Sequence, residues 1–418
     1  MSATHRKQVI AAVIGNALEW YDFVVFGFLT VIISRLFFPD DNELLALLKT
    51  TATFGVGFLM RPIGGIVLGL YADRCGRKAA LQLIMGLMTL SLLLIATAPP
   101  YAAIGIAAPL LIVLARLLQG FATGGEFAIA TSFLVEIAPR DQRGLYGSLQ
   151  QLGLALAALG GAVAGMAVTI GLTAEQLDSW GWRLPFVFGL LIAPVGIYIR
   201  RHIEEPAEFV ARRRSTASPS LLAMLAGNLR GVLVTFGLII CGTITYYVLL
   251  VYMPTFAQKQ LGLTLVDAFK VQVIALLFLS LAVPLFGALS DRLGRRPILI
   301  CGCVLLLLAL YPLFARTHDA PGFTNLLIMQ VSLCSLLGVY YGPLSTAVAE
   351  QFEPGVRSTG LSLAYNLAVM LFGGFAQFFV TFMIDFTGDP LAAAYYVMFG
   401  CAVGLVAACF VREPARTT

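Results

Sequence analysis

The sequence is 418 residues long, with 59% apolar residues, 12% charged residues and a formal net charge of +5. A soluble domain carries about 25% charged residues, so this composition favours a lipid bilayer and excludes a soluble enzyme. The positive charge does not indicate nucleic-acid binding, because the basic residues gather in short loops on one side of the apolar segments, as membrane topology requires.

Twelve apolar stretches follow one another along the chain, and only helices satisfy the backbone of single segments of this length in lipid. Spans one to twelve are, approximately, residues 9–37, 49–71, 79–98, 108–137, 145–170, 183–200, 229–257, 268–290, 297–315, 323–351, 358–386 and 391–411. We therefore predict an all-α membrane protein of twelve transmembrane helices in two six-helix halves. The halves are residues 1–200 and 229–418, and a polar linker at 201–228 joins them.

A ten-residue loop motif occurs once in each half. The copies at 69–78 and 287–296 both read G-x-x-[AS]-D-R-x-G-R-[KR], and they lie about half the chain apart. A second pair of loops, at 136–143 and 350–357, shares its Glu-to-Arg interval and repeats at nearly the same offset. Two matching loop pairs at half-chain spacing indicate a duplicated membrane fold.

The Lys and Arg residues set the expected orientation. With the N-terminus inside, the inner loops carry about three times as many basic residues as the outer loops, which is the bias of cytoplasmic loops. Both termini are therefore expected in the cytoplasm. The first span is expected to be retained, because no small-residue cleavage site follows a short apolar core.

Motifs of enzymes and of ATP-driven pumps are missing from the sequence. It contains no G-x-x-x-x-G-K-[ST] loop, so an ion gradient is expected to supply the energy for any transport. The seven Cys have no metal-ligand spacing and no neighbouring His. We expect no enzymatic activity, no resident cofactor and no metal.

Ionisable residues inside the spans are candidates for function, since a charge at mid-membrane costs about 2.5–3.5 kcal/mol on insertion scales. There are five, all in the first half: Glu19 and Asp22 in span one, Arg61 in span two, and Arg116 and Glu126 in span four. Three acids against two arginines leave one carboxylate that could hold a proton, and all three His lie in loops. A salt-bridge network that only fixes helix packing is the alternative for any one of them.

The second half has no charge at mid-span and offers hydroxyl and amide groups instead. Tyr246 and Tyr247 lie in span seven, Tyr341 in span ten and Asn366 in span eleven. Such groups could contact a polar substrate, although tyrosine near the end of a span is as often an interfacial anchor.

Particular stretches make the sequence resemble a known family. The duplicated loop resembles the signature of the major facilitator superfamily of transporters. Four further stretches look like the bacterial metabolite–proton symporter family, and the resemblance covers nearly the whole chain: 15–23, 61–65, 116–126 and 180–186. Members of that family carry citrate, tricarballylate, 2-oxoglutarate, shikimate, or osmolytes such as proline and betaine. Residues 252–256 and 361–366 look most like the citrate and tricarballylate branch, whereas 124–126 have the general family form that osmolyte carriers also show.

The resemblance implies roles for the candidate residues. The substrate-binding residues would be Arg61, Arg116, Gln119, Tyr246, Tyr247, Tyr341 and Asn366. The proton-coupling residue would be Glu19, Asp22 or Glu126. An inner gate would contain Asp73, Arg77 and Glu136, with Asp291, Arg295 and Glu350 as their counterparts.

The expected function is proton-coupled import of a small di- or tricarboxylate such as citrate. It would proceed by alternating access in the lipid bilayer of the bacterial inner membrane, with the chain acting as a monomer. A proton-coupled osmolyte carrier for proline or betaine is the nearest alternative, and an organic-acid exporter of the same fold is another. A membrane sensor or scaffold that has lost transport would be expected to carry a large soluble domain or a long tail, and the sequence shows neither.

Overall fold

The computed structural model describes residues 3–75, 77–124, 126–190, 227–353 and 356–413. Within these ranges the structure does not describe the side chains of residues 3–12, 15, 19, 69, 70, 72–75, 77–81 and 129. The described ranges form helices and contain no strand. Nine of their helices are long and apolar enough to cross a membrane, and a bent helix pair in span one provides a tenth crossing.

The helices of the first half follow the predicted spans. They are Ala3–Phe28 and Thr30–Phe37 for span one, Glu43–Cys75 for span two, Arg77–Thr97 for span three, Ala107–Thr123 and Glu126–Ile137 for span four, and Arg143–Gly171 for span five. Short helices lie in the connections at Tyr101–Ile104, Arg140–Gln142, Ala174–Ser179 and Gly181–Arg183. Most of predicted span six, at 183–200, and most of the predicted linker, at 201–228, lie outside the described residues.

The second half contains a helix for each of its six predicted spans. Span seven is Leu229–Thr245, the π-helix Tyr246–Val251 and Met253–Gln260. Spans eight, nine and ten are Leu265–Leu293, Arg295–Asp319 and Phe323–Ala349. Span eleven is Arg357–Ala368, the π-helix Val369–Gly373 and Ala376–Thr387, and span twelve is Ala392–Cys409.

Three spans that the sequence predicts as single helices are interrupted. Span one bends by 63° between its two helices. Spans seven and eleven each contain a π-helical segment. Hydropathy does not reveal these breaks, because the apolar run continues through each of them. Irregular backbone at membrane depth is tolerated only where protein surrounds it or where it lines a cavity.

Several pairs of spans join the halves. Span five packs along span eight and also against span ten, and span eleven packs against spans two and four. The approach of spans five and eight needs a glycine, because a Cβ on Gly287 would overlap the side chain of Ser148. The end of the bundle that carries residues 287–296 is called the signature end, and the end that carries residues 38–42 is called the far end.

Candidate functional site

Two arginines are buried between spans two and four. Arg61 is 1% exposed and Arg116 is fully buried. The two spans approach closely because glycines meet at their contact: a Cβ on Gly120 would overlap the carbonyl oxygen of Gly57. Small residues of this kind let membrane helices pack with their backbones in contact. The packing therefore brings both guanidinium groups into one region of the first half.

Aromatic rings surround both guanidinium groups. The Arg116 Cζ atom lies 4.6–4.7 Å from the ring centroids of Phe23, Phe26 and Phe54. The Arg61 Cζ atom lies 4.8–5.4 Å from the ring centroids of Trp20, Phe23 and Phe58. Phe23 therefore contacts both cations. Cation–π contacts offset part of the cost of removing a guanidinium from water, so the rings help the chain to keep two charges in its interior.

Three buried donor atoms of the two arginines and Gln119 have no acceptor among the residues that the structure describes. Arg116 Nη1 donates to Gln119 Oε1 at 2.5 Å, and Arg61 Nε donates to Thr123 Oγ1 at 3.2 Å. Among the described residues, Arg61 Nη1, Arg116 Nε and Gln119 Nε2 are buried donors without an acceptor. A buried donor left unpaired costs about 1–3 kcal/mol. Acceptor oxygens of a ligand would remove that cost, so this arrangement suits an anion.

Two of the three predicted carboxylates lie beside these arginines. Asp22 is buried and interacts electrostatically with Arg116. Its Oδ1 atom has no hydrogen-bond partner among the residues that the structure describes. Glu126 is partly buried and interacts electrostatically with Arg61. Glu19 lies in the helix of span one, but its side chain is outside the described part of the structure.

Span seven of the second half contributes two tyrosines to the same region. The Tyr247 ring packs edge-on against Phe54 and Phe58, with centroids 5.8 and 5.4 Å apart. Its hydroxyl is buried without a partner within the described ranges. Tyr246 packs edge-on against Trp20 at 6.3 Å. Both tyrosines therefore touch the aromatic rings that surround the arginines.

The other two predicted residues of the second half make backbone contacts. Asn366 Nδ2 donates to the Gly124 carbonyl of span four at 2.5 Å and so links the halves. The Tyr341 hydroxyl donates to the Gly242 carbonyl at 2.7 Å, within its own half. In this conformation the Tyr341 hydroxyl thus binds span seven.

Apart from Tyr246 and Tyr247, the aromatic residues of the site were not predicted from the sequence. Besides the rings around the arginines, Tyr365 stacks on Phe127 at 3.8 Å and lies beside the Arg61 guanidinium. A signal for part of this set was present, since Phe54, Phe58 and Arg61 are spaced to share one face of a helix. In an apolar span, however, phenylalanine at helical spacing is indistinguishable from residues that face lipid or core.

An aspartate of the duplicated loop ties the halves together at the signature end. Asp291 accepts hydrogen bonds from the backbone N–H groups of Gly144 and Leu145, at 2.7 and 3.0 Å. These amides belong to the first turn of span five, where no carbonyl within the helix is available to them. A carboxylate at a helix N-terminus is also favoured by the helix dipole. Arg295 pairs with Asp291 at 2.9 Å and holds it in place.

The second predicted loop pair also meets at the signature end. Arg295 Nε lies 3.4 Å from Glu350 Oε2, and burial raises the pKa of Glu350 while Arg295 opposes the shift. Glu136 of the first half pairs with Arg357 of the second half at 3.2 Å. The side chains of Asp73 and Arg77, which the resemblance groups with Glu136, lie outside the described part of the structure. Asp291, Arg295, Glu136 and Glu350 thus all belong to contacts at this end.

The halves also meet at the far end. Lys259 of span seven forms an ion pair with Glu43 at the start of span two, a contact that the sequence did not indicate. A cavity of about 220 Å³ lies beside it. The residues that line this cavity are Val31, Ser34, Arg35, Pro39, Asp40, Asp41, Glu43, Ala46, Leu47 and Lys259. The bundle therefore has polar contacts between its halves at both ends.

Replacing Asp291 by Asn is expected to open the signature end more often. The change weakens two charge-assisted hydrogen bonds and removes the ion pair with Arg295. Such bonds contribute about 1.5–3 kcal/mol each, so we expect the buried position 345 to react about tenfold faster. The measurement is maleimide labelling of a Ser345→Cys variant that lacks the native cysteines. Asp319→Asn, an exposed acid at the opposite end of span nine, is the control. An unchanged labelling rate would show that Asp291 does not hold this end closed.

Comparison with known proteins is consistent with this architecture. The profile of the Major Facilitator Superfamily matches residues 45–376 and 271–418. The chain is 39% identical over 396 residues to a citrate-proton symporter of Klebsiella pneumoniae, covering 95% of this chain and 89% of that protein. It is 32% identical over 426 residues to a proline/betaine transporter of Salmonella typhimurium, covering 98% of this chain and 84% of that protein.

Solved structures show the same fold. The crystal structure of a D-xylose-proton symporter superimposes with a TM-score of 0.78 at 20% identity, covering 97% of this chain and 98% of that one. The family profile and the 39% identical relative confirm the superfamily inferred from the duplicated loops. The chain is a multi-pass membrane protein and belongs to the major facilitator superfamily.

Proposed function

We propose that the protein is a proton-coupled symporter of a small di- or tricarboxylate of the citrate and tricarballylate class. The observation that carries this proposal is the pair of buried arginines, Arg61 and Arg116, with unpaired donors and a carboxylate beside each of them. The similarity to a citrate-proton symporter of Klebsiella pneumoniae supports the substrate class.

The site can bind a carboxylate at low desolvation cost. Arginine binds carboxylates through parallel N–H donors, and such charge-assisted bonds are about twice as strong as neutral ones. Arg61 Nη1 and Arg116 Nε supply donors that the described residues leave free. Both guanidinium carbons lie within 5.4 Å of the centroid of the same ring, that of Phe23. Two carboxylates of one small molecule could therefore each engage one arginine.

The carboxylates of the chain would carry the coupled proton. A multiply charged anion beside Arg61 and Arg116 still competes with Asp22 and Glu126 for the same cations. Protonation of one acid removes that competition and reduces the charge that moves through the membrane. Substrate and proton would then bind together, which is symport. We propose that the proton gradient alone supplies the energy, without a cofactor.

Transport of an osmolyte is the second candidate. Aromatic rings are the usual surface for the quaternary ammonium of betaine. In this site the rings of Trp20, Phe23 and Phe58 are occupied by the Arg61 cation, and a second cation there would be repelled. This observation favours an anion over betaine. The similarity to a proline/betaine transporter keeps the candidate in the test.

Alternating access would use the contacts at the two ends of the bundle. We propose that the signature end faces the cytoplasm of a bacterial cell, because the loops on that side carry most Lys and Arg. The Asp291 contacts would close that end, and the Glu43–Lys259 ion pair would close the far end. Each half supplies a partner for the other, which supports transport by a monomer.

Uptake of labelled citrate into proteoliposomes tests the proposal. An inward proton gradient should drive accumulation, and unlabelled tricarballylate should compete with the label. A proton ionophore should abolish accumulation, because the gradient is then lost. 2-Oxoglutarate, proline and betaine complete the panel of competitors. Competition by betaine or proline alone would overturn the carboxylate assignment and favour the osmolyte carrier. Accumulation that is insensitive to the ionophore would contradict proton coupling.

A further inference from the structure

A proline removes one backbone donor from span seven. Pro254 has no N–H group, which would donate to the Leu250 carbonyl in α geometry or to the Leu249 carbonyl in π geometry, so one of these two carbonyls loses its helical partner. The preceding turn already has π geometry, since the Tyr252 N–H donates to the Tyr247 carbonyl at 2.9 Å. Both leucines are fully buried, so water is not a substitute partner.

Two glutamines from neighbouring spans satisfy these carbonyls. Gln272 of span eight donates through Nε2 to the Leu250 carbonyl at 2.9 Å. Gln330 of span ten donates through Nε2 to the Leu249 carbonyl at 2.9 Å and to Gln272 Oε1 at the same distance. Each glutamine is 1% exposed. The side chains form a connected buried pair whose donors face the interrupted segment of span seven.

We propose that Gln272 and Gln330 are positioning residues that fix the π-helical segment of span seven and thereby the tyrosines at its start. Tyr246 and Tyr247 are the first residues of that segment. A π turn rotates the residues on one side of it relative to those on the other, so the direction of the two tyrosines relative to the rest of span seven depends on whether the segment is held. This inference rests on the proposed function of the arginine site, because Tyr247 packs on the rings around those arginines.

Apolar replacement of either glutamine tests the proposal. Gln272→Leu and Gln330→Leu remove a donor and leave a buried carbonyl unpaired. We expect the KM for citrate to rise about tenfold while the maximal rate stays within about twofold, since substrate binding and not the transport step depends on the tyrosines. Ser335→Ala is the matched control on span ten, because its hydroxyl bonds only to the Val331 carbonyl of its own helix. A KM that matches this control would overturn the proposal.

Removing the proline separates positioning from a purely structural role. Pro254→Ala restores a backbone N–H that can pair with the Leu250 carbonyl, so in the double variant with Gln272→Leu that carbonyl is paired, while Gln330 Nε2 loses its bond to Gln272 Oε1. We expect the double variant to recover most of the lost melting temperature but to keep the raised KM, because the segment can then adopt regular α geometry. Recovery of both quantities would show that the glutamine only stabilises the fold.

A readout without substrate distinguishes failure of this inference from failure of the proposed function. The Trp20 ring lies 6.3 Å from the Tyr246 ring, so Trp20 fluorescence responds to the position of the segment. Comparing each variant with its Trp20→Phe version isolates the contribution of Trp20. A changed Trp20 emission in the glutamine variants, and not in Ser335→Ala, supports positioning even if citrate is not the substrate. Unchanged emission in all variants contradicts it.

Discussion

Replacing Arg116 by Gln is expected to abolish citrate uptake, with a loss of at least about 100-fold, since removing one partner of a buried charge pair costs about 3–5 kcal/mol. Arg116 is fully buried and contacts three aromatic rings, Gln119 and the Phe54 carbonyl. A neutral amide at this position offers a substrate carboxylate no cation. The measurement is gradient-driven uptake into proteoliposomes at matched protein content.

Two further arginine variants test whether the loss of uptake is specific to the guanidinium group of Arg116. Arg116→Lys keeps the charge but loses the planar group that faces the rings and donates in two directions, so we expect it to restore only a small part of the activity. Arg35→Gln removes an exposed arginine at the far end, which pairs with Asp178, and should transport nearly normally. Near-normal uptake by Arg116→Gln would exclude Arg116 from the binding site and contradict the carboxylate proposal.

The spans and the two halves can be predicted from the sequence, because each is marked by a pattern within a short stretch of residues. Hydropathy marks the spans, and the duplicated loops mark the halves. The contacts of Asp291 show why its loop is informative: its carboxylate accepts hydrogen bonds at the N-terminus of span five, so this short charged loop links the two halves. The five ionisable residues were also identifiable, since a charge inside an apolar span is costly wherever it lies.

The details of the site depend on tertiary contacts and therefore could not be predicted. Nothing in the sequence near Pro254 indicates that Gln272 and Gln330 donate to the carbonyls of the turn before it. The ion pair between Glu43 and Lys259 likewise joins residues from different halves. Predicting either contact requires knowing which spans are neighbours, and hydropathy does not distinguish one apolar span from another.

The surroundings of Asp22 and Glu126 differ, and this difference suggests which of the two acids to test first as the coupling residue. The glycine at position 189 leaves room for the Asp22 carboxylate, since a Cβ there would meet Asp22 Oδ1. Asp22 is thus buried beside the start of span six. A carboxylate in such surroundings is costly when charged unless a cation compensates for it, and Arg116 is the cation that interacts with it. A substrate anion that engages Arg116 would weaken this compensation and favour protonation of Asp22.

Replacing Asp22 by Asn is therefore expected to uncouple transport from the proton gradient. The amide has the shape of the protonated acid but can neither bind nor release a proton. We expect gradient-driven accumulation of citrate to fall at least about tenfold, whereas exchange of external for internal citrate at equal concentrations persists, because exchange needs no net proton movement. Asp385→Asn, at an exposed position of span eleven, is the matched control and should retain both activities.

The corresponding change at Glu126 decides between the two acids. Glu126 of span four interacts with Arg61, so Glu126→Gln alters the binding region without removing Asp22. If Asp22 carries the proton, Glu126→Gln should raise the KM and leave accumulation dependent on the gradient. If Glu126→Gln instead keeps exchange and loses accumulation while Asp22→Asn accumulates citrate, Glu126 carries the proton and Asp22 serves to hold Arg116 in place. Loss of exchange in both variants would mean that the acids are needed for substrate binding itself, and the coupled proton would then belong to another group.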